Sequence, residues 1–122
     1  MSPLATDIYD ILRQRVPADD GRITYGQLVD QLPGVHGITY ANDVRVSVAL
    51  GEIVEACRRN GLPLLPAIVV QGDDDGEATG EPGNGYFDVS HPEVGRDRER
   101  RTMAHYNEWQ RVRAATYPET LN

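Results

Sequence analysis

The segment from Asn42 to Asn60 constrains the fold most, because its apolar residues repeat with helical spacing along two stripes. One stripe consists of Val46, Leu50, Ile53 and Cys57, and the other of Val44, Val48 and Val54. A helix with two apolar stripes is buried over much of its circumference, so we expect this segment to form the centre of the core. Asn42 is predicted to cap its start, and Asn60-Gly61 followed by Pro63 is predicted to end it.

Two shorter helices are predicted before this segment. Ser2 and Pro3 are typical of a helix start, which predicts a first helix from about Pro3 to Arg15. Arg22-Ile23-Thr24 predicts a short strand, and Thr24 is expected to cap a second helix over Tyr25–Leu32. The central helix therefore follows two helices that can pack against it.

The region after the central helix predicts a β-hairpin. Leu64–Gln71 is rich in β-branched residues and predicts one strand, and Tyr86–Val89 predicts a second strand that pairs antiparallel with it. The glycine-rich residues 72–84 would form the loop between them, and a charged final helix is predicted over about residues 96–115. This order predicts an α+β fold of winged helix-turn-helix type, with four helices, a β-hairpin wing and a short extra strand in a single domain, 1–122.

Charge and composition limit the functions that fit. No stretch approaches the roughly 18 apolar residues that a membrane helix needs, and a single cysteine agrees with a reducing, cytoplasmic compartment. The net charge of −7 opposes binding to DNA phosphates, but arginines crowd the last third of the chain and leave a local basic patch open.

Three short segments carry a family resemblance, namely Ile23–Leu28, Arg45–Leu50 and Leu65–Val70. Together they resemble the winged-helix DNA-binding domain of the alkylguanine-DNA alkyltransferases and alkyltransferase-like proteins. The resemblance implies DNA as partner, with Tyr25 and Arg45 assisting base flipping. Where the family has Pro-Cys-His-Arg or Pro-Trp-His-Arg, this chain has Ala67, Ile68 and Val69 after the proline. The chain lacks the reactive thiol there, so the resemblance does not extend to alkyl transfer.

Other candidate chemistry is weak in the sequence. Cys57 lies on an apolar stripe and is predicted to be a buried, inert thiol. Asp73, Asp75 and Glu77 alternate as in the start of a calcium loop, but Ala78 occupies the place of the required glycine. Three histidines, in three separate segments, make no metal-binding motif: His36, His91 and His105. We therefore predict no cofactor and no metal.

Two functions of different classes fit these observations. The first is a small non-enzymatic nucleic-acid-binding or regulatory protein, which contacts double-stranded DNA through Arg22, Tyr25, Thr39, Tyr40, Asn42, Arg45, Ser47 and Arg58. The alternative is a protein-interaction or dimerisation module that does not bind DNA. It would bind an acidic or apolar partner, or a second copy of itself, through Arg101, His105, Tyr106 and Trp109.

Overall fold

The central helix, α3, spans Val44–Arg59 in the structure, a computed structural model that describes residues 1–121. The predicted cap is wrong by one residue, because the side chain of Asp43, rather than Asn42, accepts a hydrogen bond from the backbone N–H of Arg45. After Asn60 the chain turns through Gly61, whose φ of 66° is the left-handed conformation typical of a helix end.

Only one of the two predicted apolar stripes is fully buried. The first stripe, with Ile53 at its middle, lies in the core as predicted. Of the second stripe Val54 is buried, but Val44 and Val48 are 71% and 62% exposed. The prediction that α3 is embedded along both stripes is therefore wrong, and two large apolar side chains of this helix face solvent.

Two helices and a short strand precede α3. Helix α1, Pro3–Arg13, starts at the Ser2 cap as predicted and packs along α3. Strand β1 is Ile23–Thr24, and Thr24 also caps α2, Tyr25–Asp30. The Thr24 hydroxyl accepts from the N–H of Gln27 and the Gln27 side chain accepts from the N–H of Thr24, which is a complete capping box.

The predicted winged-helix fold with a β-hairpin wing is wrong. Strand β2 is limited to Val69–Val70, and it pairs in parallel with β1 instead of antiparallel with a following strand. The segment predicted as the second strand lies in a helix, α4, Asn84–Ser90. Residues 1–121 thus form five α-helices and one two-stranded parallel sheet.

Side-chain burial explains why α4 forms where a strand is predicted. Tyr86 and Ser90 are spaced by four residues, and both are buried together with Phe87 on one side of the helix. Val89, the residue that a strand would place on the same face as Phe87, is instead exposed. Tertiary burial therefore overrides the weak β propensity of four residues.

The glycine-rich loop folds back on itself just after β2. The N–H of Gln71 donates to the Glu81 carbonyl at 2.9 Å, and the N–H of Gly80 donates to the Gln71 carbonyl at 3.0 Å. A Cβ at Gly80 would lie 2.5 Å from the Gln71 carbonyl oxygen, so this approach requires glycine. The loop is thus an ordered turn beside the core.

The last helix, α5, spans Arg98–Arg113 and starts at the Asp97 cap. It packs through buried His105, Glu108 and Val112. The Glu108 carboxylate accepts a hydrogen bond from the N–H of Leu64 at 2.8 Å, which satisfies a buried donor just before the Leu65–Ile68 3₁₀ turn. Across residues 1–121, every helix is too short or too polar to cross a bilayer.

Candidate partner-binding groove

A groove of about 760 Å³ lies between α3 and α4. The start of α2, the segment before α3 and the turn after β2 complete its walls, and Leu50, Val54 and Pro66 also line it. Among the described residues, those that line the groove include no arginine, histidine, aspartate or glutamate. The groove is therefore an uncharged, largely apolar concavity, of a size typical of ligand sites.

Tyr25 connects α2 to the far wall of the groove. Its phenol oxygen accepts a hydrogen bond from the backbone N–H of Gly83 at 2.9 Å, just before α4 begins. Burial raises the pKa of the Tyr25 hydroxyl, so the group stays neutral at physiological pH. The hydroxyl proton of Tyr25 remains available to donate to a molecule in the groove.

Two arginines hold α4 in place. At its start, the Arg101 guanidinium donates to the Asn84 side chain at 2.6 Å and to the Gly95 carbonyl at 2.7 Å, and it lies 4.7 Å from the ring centre of Phe87. At its end, Arg58 donates to the carbonyls of Val89 and Ser90 at 2.9 and 3.0 Å. Arg58 thus stabilises the last carbonyls of α4, as a cation at a helix end does, and Arg101 fixes its first turn. Together the two side chains position the outer wall of the groove.

The three arginines predicted to contact DNA all have partners within the chain. Arg22 pairs with Asp20 at 2.7 Å and lies 4.4 Å from the ring centre of Trp109. Arg45 pairs with Asp43 at 2.7 Å and donates to the carbonyls of His36 and Gly37. Arg58 pairs with Glu55 at 2.7 Å in addition to its bonds to α4.

These pairs also change the acidity of the carboxyls. The hydrogen bond from Arg22 lowers the pKa of Asp20, and that from Arg45 lowers the pKa of Asp43. Both carboxylates stay ionised at physiological pH and compensate the arginine charges. The structure therefore leaves no uncompensated cation among the residues predicted to contact DNA.

The other predicted DNA contacts are divided between the groove and open surface. Tyr25, Asn42 and Ser47 line the groove, so the structure brings these three together. Thr39 and Tyr40 are exposed on the segment that leads into α3. Arg22 lies away from this set, beside α5.

The residues predicted to bind a partner through α5 do not form one surface. Arg101 is engaged with α4, and His105 is buried, where its Nε2–H donates to the Ala67 carbonyl at 2.9 Å. Burial lowers the pKa of His105, so it is neutral at physiological pH. The guanidiniums of Arg22 and Arg113 lie 4.4 and 5.3 Å from the ring centre of Trp109, whose indole N–H donates to the Asp20 carbonyl. Of the four predicted residues, Tyr106 is the most exposed, at 52%.

The remaining candidates are accounted for by local structure. Cys57 is a free, buried thiol, as predicted, and burial raises its pKa. In the acidic loop the Asp73 carboxylate accepts from the N–H groups of Asp75 and Glu77. Within residues 1–121, no three His, Cys, Asp or Glu side chains are arranged to hold a metal ion.

Most residues that line the groove were absent from the predicted site, among them Gly51, Gly85, Val48 and Val89. The periodicity of α3 predicts Val48 in the core. Gly85 lies in the stretch predicted to be a loop and Val89 in the predicted strand, whereas both belong to α4 in the structure. One available signal was Gly51, since a glycine inside a strongly helical segment lowers helix stability and usually has a packing or functional reason.

Comparison of the chain with protein-family models, with curated proteins and with solved structures finds no match.

Proposed function

We propose that the protein is a non-enzymatic protein-interaction module that binds a partner through the groove between α3 and α4. One observation carries the proposal. Val48 and Val89, which line the groove, are 62% and 40% exposed, and Val44 extends the same apolar strip one helical turn further along α3. Contiguous exposed apolar side chains beside a concavity are typical of a protein-binding surface.

The charge around the groove indicates the chemistry of the partner. Gly72 and Gly76 line the groove, and the chain between them is Asp73-Asp74-Asp75. Within residues 1–121 the side chains of Asp74, Asp75 and Glu77 make no ion pair. A partner segment with positively charged residues beside an apolar anchor complements this arrangement. We infer a basic partner, in place of the acidic one expected for α5.

The same features weigh against DNA, the other predicted partner. Binding to a phosphate backbone requires cations that are free to displace counterions, whereas Arg22, Arg45 and Arg58 are paired inside the chain. The acidic loop beside the groove would repel phosphate. The resemblance to alkyltransferase DNA-binding domains gives Arg45 a role in base flipping, and its pairing with Asp43 opposes that role. A cytoplasmic location, as the single cysteine predicts, is part of the proposal.

Val48→Lys is expected to weaken partner binding at least about tenfold, because it places a positive charge at the apolar mouth of the groove, where it repels a basic partner. The probe is a set of peptides selected on the wild-type protein from a random-peptide display library, with affinities measured by calorimetry. We expect the selected peptides to combine net positive charge with a large apolar residue. Val48 is mostly exposed, so the thermal midpoint of the variant should stay close to that of the wild type.

Met103→Lys is the matched control, because Met103 is 59% exposed on α5 and does not line the groove. It should leave peptide affinity unchanged. Equal weakening by both variants, or no enrichment of peptides at all, would contradict the proposal. The proposal would also be contradicted if the protein bound a short DNA duplex saturably at low salt but bound none of the peptides. That outcome would favour the nucleic-acid function.

A further inference from the structure

We propose that the anchor bound in this groove is an aromatic side chain flanked by positive charges, and that it packs against the bare helix backbone at Gly51 and Gly85. The inference rests on the proposed function and specifies its ligand. The two glycines determine which side chain of the partner fits in the groove.

The two glycines are not explained by the fold. Gly51 lies inside α3 and Gly85 in the first turn of α4, and neither has a positive φ. A Cβ built at either position meets no other atom within 4 Å. Within a helix, glycine costs about 0.5–1 kcal/mol relative to alanine. Alanine would therefore fit at Gly51 and stabilise the chain. Because the fold does not require glycine there, we attribute the missing side chain to the ligand that the groove binds.

Other glycines of the chain show the contrast. Gly61 has a φ of 66°, and a Cβ at Gly80 would approach a backbone oxygen to 2.5 Å, so both are required by the backbone. Gly51 and Gly85 instead line the groove, one on each of the two helices that form it. Without side chains, the two helix surfaces are flat and leave space for a ring.

The polar groups of the groove fit an aromatic ring with one polar atom. Tyr25 and Tyr86 are among the residues that line the groove, and aromatic rings favour edge-to-face contacts with one another. The neutral Tyr25 hydroxyl can donate, and within residues 1–121 the Asn42 and Ser47 side chains make no hydrogen bond. An indole N–H or a phenol can bond to these groups while its apolar body stays in the groove. Aromatic anchors of this kind dominate many protein interfaces.

The first experiment is an NMR titration of the full chain with three capped tripeptides. Acetyl-Lys-Trp-Lys-amide is expected to shift the backbone amide signals of Gly51 and Gly85 saturably. Acetyl-Glu-Trp-Glu-amide should bind at least about tenfold more weakly, because the acidic loop repels it, and acetyl-Lys-Ala-Lys-amide should produce no saturable shift. Equal binding of the lysine and glutamate peptides, or of the tryptophan and alanine peptides, would overturn the inference.

Gly51→Ala distinguishes an effect on ligand binding from an effect on folding, because it should lower the affinity without lowering the stability. The variant should have a thermal midpoint equal to or above that of the wild type, and should bind acetyl-Lys-Trp-Lys-amide about tenfold more weakly, because its methyl group occupies the place of the ring. Gly34→Ala is the control, since Gly34 lies in the Gly34–His36 3₁₀ turn, away from the groove, and a Cβ there also meets nothing within 4 Å. It should leave the affinity unchanged.

The outcomes distinguish this inference from the proposed function. If Val48→Lys weakens binding of the display-selected peptides at least about tenfold, but Gly51→Ala leaves their affinity and that of the tryptophan tripeptide unchanged, the anchor assignment is overturned and the interaction function stands. If neither the selected peptides nor the tripeptide binds, both are overturned.

Discussion

Phe87→Ala is expected to lower the free energy of unfolding by about 3–5 kcal/mol. Phe87 is 2% exposed, contacts the Tyr86 ring edge to face at a centroid distance of 5.3 Å, and lies beneath the Arg101 guanidinium. Its truncation leaves a cavity beneath α4 and removes the surface on which Arg101 rests. Urea denaturation followed by circular dichroism measures the loss.

Val89→Ala is the matched control for this change, because Val89 is two residues away and 40% exposed. In α4 the two side chains point in different directions, so the control should change the stability by less than about 0.5 kcal/mol. In a strand they would share one face, and both substitutions would be costly. Similar losses for the two variants would therefore contradict the helical assignment of residues 84–90 and, with it, the outer wall of the groove.

Ile53→Ala is expected to cost about 2–5 kcal/mol, because Ile53 is fully buried on the side of α3 that faces the core. Val48→Ala, on the other apolar stripe of the same helix, should change the stability by less than about 0.5 kcal/mol, since Val48 is mostly exposed. Both substitutions replace a β-branched residue by alanine, so they share the same change in helix propensity.

Thermal and urea denaturation of the two variants provide the comparison. A large loss for Val48→Ala would show that the second stripe of α3 is part of the core. In that case the exposed apolar strip beside the groove would not exist, and the proposed partner-binding surface would lose its main support.

Local signals predicted the helices whose ends are fixed by neighbouring residues. Ser2 and Pro3 mark the start of α1, and Thr24 with Gln27 forms the capping box of α2. These interactions span three residues or fewer, so the sequence contains them in full. The start of α3 was misplaced by one residue because Asn42 and Asp43 are both good caps, and the choice between them depends on the backbone.

Non-local packing determines the features that the sequence does not predict, namely the partner of β2 and the helical state of α4. Val69–Val70 pairs with Ile23–Thr24, which lies more than forty residues earlier, so composition alone gave the strand but not its partner or direction. Tyr86–Val89 contains too few residues to distinguish a helical period from an alternating one. Its helix forms because Tyr86, Phe87 and Ser90 are buried by other parts of the chain.

The residues predicted to contact DNA fall into two sets in the structure. Tyr25, Asn42 and Ser47 do line the groove, but the arginines assigned to DNA are compensated by acids close in sequence. Asp20 precedes Arg22 by two residues and Asp43 precedes Arg45 by two, so this signal was available. The exposure of Val48 was not, because it depends on which side of α3 the other helices cover.

We expect the groove between α3 and α4 to bind the apolar anchor of a basic partner segment. Intermolecular nuclear Overhauser effects between the protein and acetyl-Lys-Trp-Lys-amide test it most directly, because they identify the protons that lie next to the indole ring. We expect contacts from the indole to the methyl groups of Val48 and Val89. Contacts to Met103 and Tyr106 on α5, in place of the two valines, would contradict it.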